Sequence, residues 1–150
     1  MSSFSWSFTT EGWLRLGTPS IDVKDMLEGE SVLGLIYGTN LFVGLEPPES
    51  DNIPANVVTI FDTPGMPPDL TLDNLSNYGY PSVQIRIRNT SYSEGFVVAY
   101  DIKSALHGRG PETWNAALYT VIRCVGEPFF LGWTEKRRAW WVVNFDLQRR

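Results

Sequence analysis

Residues 81–110 read PSVQIRIRNTSYSEGFVVAYDIKSALHGRG, and the apolar pattern changes period in the middle of the stretch. Val83, Ile85 and Ile87 alternate with Gln84, Arg86 and Arg88, which predicts a strand that buries one face. From Asn89 onward the apolar residues recur at steps of three and four: Tyr92, Gly95, Ala99, Ile102 and Leu106, with Phe96 and Val98 widening the stripe. Ser91 and Glu94 form an S-x-x-E capping box at the start of this helix, and Gly108 stands where a left-handed residue ends one. The stretch therefore predicts a strand that runs directly into a helix of roughly four turns, which packs back on the strand's apolar face. The strand's second face, an amide and two arginines in an acidic chain, needs a partner of its own.

C-terminal to this unit the chain is β-rich: ETWNAALYTVIRCV (112–125), EPFFLGW (127–133) and AWWVVNFDLQ (139–148). In the last, Trp141, Val143, Phe145 and Leu147 line one face, while Trp140 and Val142 give way to Asn144, Asp146 and Gln148 on the other. EKRR, with Arg137 and Arg138, is the expected hairpin turn. AWWVVNF is strongly β-prone, so the flanking KRR and QRR read as guards of an open edge or as contacts to a neighbouring chain. N-terminal to it, SIDVKDMLEGE predicts a short helix burying Ile21, Met26 and Leu27, with Asp22 and Asp25 near its start and its stop at Gly29. NLFVGL (40–45) and VVTIFD (57–62) read as strands. Residues 46–56 and 62–81 are rich in proline and acids and read as long surface loops, unless 62–81 forms a small hairpin. The expected fold is α+β: a mostly antiparallel β-sheet with two main helices packed on one face, in a single domain over 1–150 preceded by an N-terminal segment, 1–19.

A chain of 150 residues that is 43% hydrophobic is long enough to bury roughly 70% of its unfolded surface. Its single cysteine, Cys124, cannot form an internal disulfide and reads as a small buried hydrophobe. The N-terminus lacks the basic and apolar regions of a signal peptide, and no apolar run approaches ~20 residues. The expectation is a soluble protein in reducing surroundings, with no membrane contact. Charge is unevenly placed: residues 1–85 hold two bases and eleven acids, net −9, and residues 86–150 hold ten bases and six acids, net +4. Either the two halves intermix in the fold and neutralise each other, or opposite sides of the subunit carry opposite charge, which would suit head-to-tail self-assembly.

Residues that advertise chemistry are scarce. His107, the only histidine, sits at a helix C-terminus, where His meets the last carbonyls. One His and one Cys argue against a transition-metal site. Carboxylates such as Asp69 and Asp73 lie in loops that nothing in the sequence brings together over a pocket. No phosphate-cradling glycine motif occurs. Arginines among aromatic strand residues could mimic a single-strand nucleic-acid platform, but the acidic first half would repel a phosphate backbone. No catalytic residue, metal ligand or cofactor is expected.

Three segments, VVTIFDTPGMPPDL, YPSVQIRIRNTSYSEGFVVAYDIKSALHG and GEPFFLGWTEKRRAWWVVNFDLQRR, resemble in that order a family of bacteriophage minor capsid proteins that act as tail terminators in long-tailed phages. The match covers about residues 40–150. The D-T-x-G-x-x-P loop departs from the family's usual D-T-G-G in having Pro64, which fixes its own φ and biases Thr63 to extended geometry. The aromatic N-terminus FSWSFTTEGWL is peculiar to this chain. The resemblance implies a virion protein assembled in the host cytoplasm, with no substrate. Its subunits would form a ring, often a hexamer, that caps the tail tube, stops its polymerisation and presents a docking surface to the head connector. The implied partners are further copies of the chain, the tail tube protein and head-tail connector proteins, with DNA passing through the lumen unbound. A head-tail connector or head-completion role is the alternative, with an enzyme and a nucleic-acid module behind it. The expected interface residues are Arg86 and Arg88, with Arg123, Arg137 and Arg138, facing acidic partners of which Asp62, Asp69 and Asp73 are candidates. Otherwise the arginines are exposed strand positions worth ~0–1 kcal/mol per pair.

Overall fold

A computed structural model of the chain describes residues 16–69 and 78–150. In chain order these form α1 (Pro19–Glu28), a 3-10 turn (Ser31–Leu33), β1 (Leu41–Val43), β2 (Val57–Met66), β3 (Tyr80–Asn89) and α2 (Tyr92–Leu106). β4 (Glu112–Trp114), β5 (Ala117–Cys124), β6 (Phe129–Trp133) and β7 (Ala139–Arg149) follow. The described strands make one sheet in the order β1-β2-β3-β7-β5-β4, with β6 beside β7. β1 and β2 run parallel and the other strand pairs are antiparallel.

The change of period at Asn89 is the corner between β3 and α2. Val83, Ile85 and Ile87 of β3 are buried against the helical layer, as are Gly95, Ala99, Ile102 and Leu106 of α2. Ser91 caps the helix by accepting the Glu94 amide at 3.3 Å. The reciprocal half of the expected box is replaced, because the Ser91 amide donates to Asn89 Oδ1 at 2.9 Å. Gly108, with φ +80°, follows the C-cap. Gly95 is required by contact: a Cβ there would lie 2.6 Å from Cδ1 of Trp141 on β7. Tyr92, placed by spacing on the buried stripe, is half exposed.

Both helices lie on one face of the sheet and share one core with Val58, Ile60, Trp141, Val143, Phe145 and Leu147. In α1 the inner face carries Val23, Met26 and Leu27, while Ile21, expected inside, is 37% exposed. The face is set by Asp22, which is 1% exposed. Its carboxylate accepts the Tyr119 hydroxyl, the Asn115 amide at 2.6 Å and Arg149 Nη1 at 3.5 Å. A buried carboxylate is tolerated only when it is paired in this way. Burial, and then the bond to Asp22, pushes the Tyr119 phenol well above its ordinary range.

Three expectations change. β2 continues through Asp62–Met66, residues expected in a loop, and pairs with β3 as far as Met66↔Tyr80, with a register shift between Thr63 and Met66. Pro64 falls within this bulged stretch, where the missing N–H breaks no regular ladder. Gly65 must be glycine, since a Cβ would meet the Tyr80 carbonyl oxygen at 1.9 Å. Secondly, β7 is no open edge. β3 pairs with it on one side, and β5 and β6 divide its other side. His107 also differs from expectation: its Nδ1 accepts the backbone N–H of Cys124 at 2.9 Å.

Candidate assembly surface

The sheet face turned away from the helices carries the polar set of β3. Cross-strand register aligns Thr59 with Arg86 and Val142, Phe61 with Gln84 and Asn144, and Ser82 with Asp146 and Arg123. Each row is joined by side chains, because opposed residues on one face of an antiparallel pair lie ~5 Å apart. Ser82 Oγ donates to Asp146 Oδ1 at 2.7 Å, Gln84 Nε2 to Asn144 Oδ1 at 3.2 Å, and Arg86 Nη2 approaches Gln84 Oε1 at 3.5 Å.

Arg88 does not face a neighbour. It is 5% exposed and its guanidinium donates to three backbone carbonyls of the 46–56 segment: Pro47 at 2.7 Å, Ala55 at 3.0 Å and Pro54 at 3.2 Å. Glu46 lies 3.6 Å away and also accepts the Trp140 indole N–H at 3.0 Å. The planar five-donor fork of arginine suits this task, since proline-rich backbone has carbonyls to satisfy and few amides to satisfy them. Arg138 does the same from the β6–β7 turn, donating through Nε and Nη2 to both carboxylate oxygens of Glu49, at 3.0 and 2.9 Å. That fork holds the Glu49 carboxyl below its ordinary range. Loop 46–56 is thus strapped across one half of the outer face.

The other expected residues divide. Asp62 is exposed but engaged within the subunit: its carboxylate accepts the Ser20 amide at 3.0 Å and the Ser20 hydroxyl at 2.6 Å. It thereby caps α1 across 42 residues, a role that Thr18 at the N-cap leaves open. Arg86 lies between the rings of Phe61 and Trp140, 5.2 and 5.5 Å from their centroids. Arg123, 72% exposed in its side chain, reaches Asp146 only at 4.0 Å. Arg137 is exposed in the β6–β7 turn with φ +60°. Asp69 is exposed and accepts the Tyr80 hydroxyl at 2.7 Å, which raises the Tyr80 phenol. Asp73 lies outside the described residues. Met66, Asp69, Tyr80, Val121, Arg123 and Asp146 border an open groove of about 430 Å³ at this end of the face. Among the described residues no group of three or more His, Cys, Asp and Glu is placed to hold a metal ion.

Part of the uneven charge of the sequence is resolved inside the subunit. Four ion pairs join an acid of the first half to a base of the second: Glu46–Arg88, Glu30–Arg109, Glu49–Arg138 and Asp22–Arg149. At these four places the two halves intermix.

Sequence reasoning missed a second surface. Tyr92, Phe96 and Tyr100 on α2 and Phe129, Leu131 and Trp133 on β6 are each between 39% and 54% exposed. Tyr92 packs against Phe130 and Trp133 at centroid distances of 5.0 and 6.1 Å, which joins Trp133 to the α2 row in one patch, while Phe129, opposite Val142, faces the outer side of the sheet. Its available signal was the i, i+4, i+8 spacing of aromatics on a helix whose core face is already complete without them. Contiguous apolar exposure of this kind marks an interaction site.

Polar groups committed to strapping loops and capping a helix, together with an aromatic patch left in water, define a structural subunit that works through its surfaces. A model of the bacteriophage tail terminator protein family matches residues 24–150. The chain belongs to that family, and is a structural protein of a phage virion's tail. Its fold is similar to a chain of a solved native gene transfer agent (GTA) virion, with TM-score 0.63 and 14% identity over 95% of this chain and 98% of that one. No curated protein matches the sequence.

Proposed function

We propose that the chain is the subunit of a homo-oligomeric ring, a hexamer in the simplest form, that caps the tail tube, stops its polymerisation and provides the docking surface for the head connector. The observation that carries this reading is the aromatic patch of α2 and β6, half exposed on a subunit of a tail terminator family. A cyclic ring uses heterologous contacts, in which one patch of each copy meets a different patch of the next. The outer sheet face offers such a second patch, with Arg86, Arg123, Arg137 and Asp69 available at its surface. Arg88 and Arg138 support it by holding loop 46–56. The strapped acidic loop 46–56 and the β2–β3 arm are the proposed contacts to tube and connector. An acidic lumen would let DNA pass without binding.

The test is tail length. Phage particles lacking this protein should assemble tails of uncontrolled length without heads, and the wild-type protein supplied in trans should restore a fixed length and head attachment. Tails of normal length that merely lack heads would favour the head-completion role instead.

A further inference from the structure

The aromatic patch has a feature that packing alone does not require: it adjoins a free strand edge. β6 pairs only with β7 among the described residues, which leaves its other edge of backbone N–H and C=O groups without a strand partner. Natural edges are blunted with lysine, proline, inward charge or a β-bulge. β6 reads Phe-Phe-Leu-Gly-Trp and carries no charge or proline, and its bulge between Phe130 and Gly132 leaves Phe129–Phe130 as a regular stretch of the edge. A bare edge beside an apolar surface fits strand addition, where main-chain bonds give affinity and alternate side chains give specificity.

The chain contains a segment of matching pattern. Residues 4–8 read Phe-Ser-Trp-Ser-Phe, strict alternation of aromatic and small polar residues with no charge. In an extended strand Phe4, Trp6 and Phe8 would share one face at intervals of ~6.6–6.8 Å. Tyr92, Phe96 and Tyr100 of α2 rise by ~6 Å per interval, so the two rows of rings are nearly commensurate. Reach favours a donor on another copy. The Gly17 carbonyl is held by Arg149 at 2.8 Å, at the far end of β7 from the Ala139–Val142 stretch that β6 flanks. That distance is ~25–30 Å along β7. Residue 8, nine residues before Gly17, reaches ~30 Å only when fully stretched, and β5 occupies that side of β7.

We propose that residues 4–8 of one copy add as a strand to the free edge of β6 in the next copy, with Phe4, Trp6 and Phe8 seated on the α2–β6 aromatic patch. The donor's being a second copy rests on the ring reading; the edge and the patch do not. Each subunit would give one strand and receive one, which closes a ring without any large preformed flat interface.

The experiment uses the full chain on tail tubes with Trp6→benzoylphenylalanine, mixed with an excess of ¹⁵N-labelled wild-type chain and irradiated. The expected product joins position 6 of a light chain to the 129–133 peptide of a heavy chain, at least tenfold above a Val32→benzoylphenylalanine control, Val32 being 92% exposed elsewhere. Leu131→Lys in the heavy chain should lower that yield at least tenfold. Products that are light-to-light only, that map away from β6, or that are absent would overturn the strand exchange. Particle images of the same samples separate the two readings: capped tubes without the heavy-chain product leave the ring standing, and uncapped tubes remove both.

Discussion

Arg86 and Arg88 sit two residues apart on one strand and point to the same side of the sheet, yet Arg88 lies under a loop while Arg86 marks the boundary of the open half. At the Arg88 end the face is closed: loop 46–56 crosses it, tied by three arginine-to-carbonyl bonds, by Trp140 to Glu46 and by the Arg138–Glu49 fork. At the Arg123 end the face is open: side chains form a hydrogen-bonded ladder around Asp146 and Asn144, and a groove lies beside it. Arginine type and strand position are the same in both halves. The difference is whether proline-rich backbone with unsatisfied carbonyls passes overhead. Surface charge in a sequence is therefore a poor guide to interface until the path of the loops is known.

Four perturbations break or sharpen this contrast. Arg88→Ala should be the most damaging, since it removes a buried guanidinium that serves three carbonyls and pairs with Glu46, which keeps only the Trp140 N–H; a loss of about 3–5 kcal/mol by denaturant unfolding is expected. A loss under ~1 kcal/mol would mean that the closed half is not held by this residue. Arg86→Ala removes two ring contacts and should cost about 1–2 kcal/mol, intermediate between the two halves. The strap should also loosen in acid. The Glu49 carboxyl is held below 4.5 by the Arg138 hydrogen bond, so its anchoring is fully present above that pH and is lost as pH falls through the lowered value. Hydrogen exchange in 46–56 should accelerate below pH 4.5, and Glu49→Gln should make exchange fast at neutral pH and remove that acid step. Arg123→Glu should move stability by less than ~0.5 kcal/mol, because the side chain is solvated, while weakening assembly on tubes. Unchanged assembly would take Arg123 out of the proposed interface.

How much of this was legible depends on how local each feature is. The β3–α2 corner was readable because period, cap and terminating glycine all lie within thirty residues. The buried face of α1 was not, because Asp22 is held inside by Tyr119, Asn115 and Arg149, more than ninety residues away. The same holds for Asp62, whose strand position says nothing of the helix terminus it caps. Whether AWWVVNF is an edge was open in the sequence because β-propensity does not report which strands flank it. Loop 62–81 read too long because proline suggests a break, whereas a bulge accommodates Pro64 and places Gly65 against the Tyr80 carbonyl. The aromatic patch escaped notice because Tyr92 and Phe96 read as part of the helix's core stripe, and only the finished core shows that they are surplus to it.

The measurement that tests the account most directly is electron microscopy of purified tail tubes mixed with the purified protein, with its mass in solution determined beforehand. The account predicts a ring of density at one end only of each tube and no further elongation when tube subunits are added. Tubes that remain bare and continue to grow at both ends would contradict it.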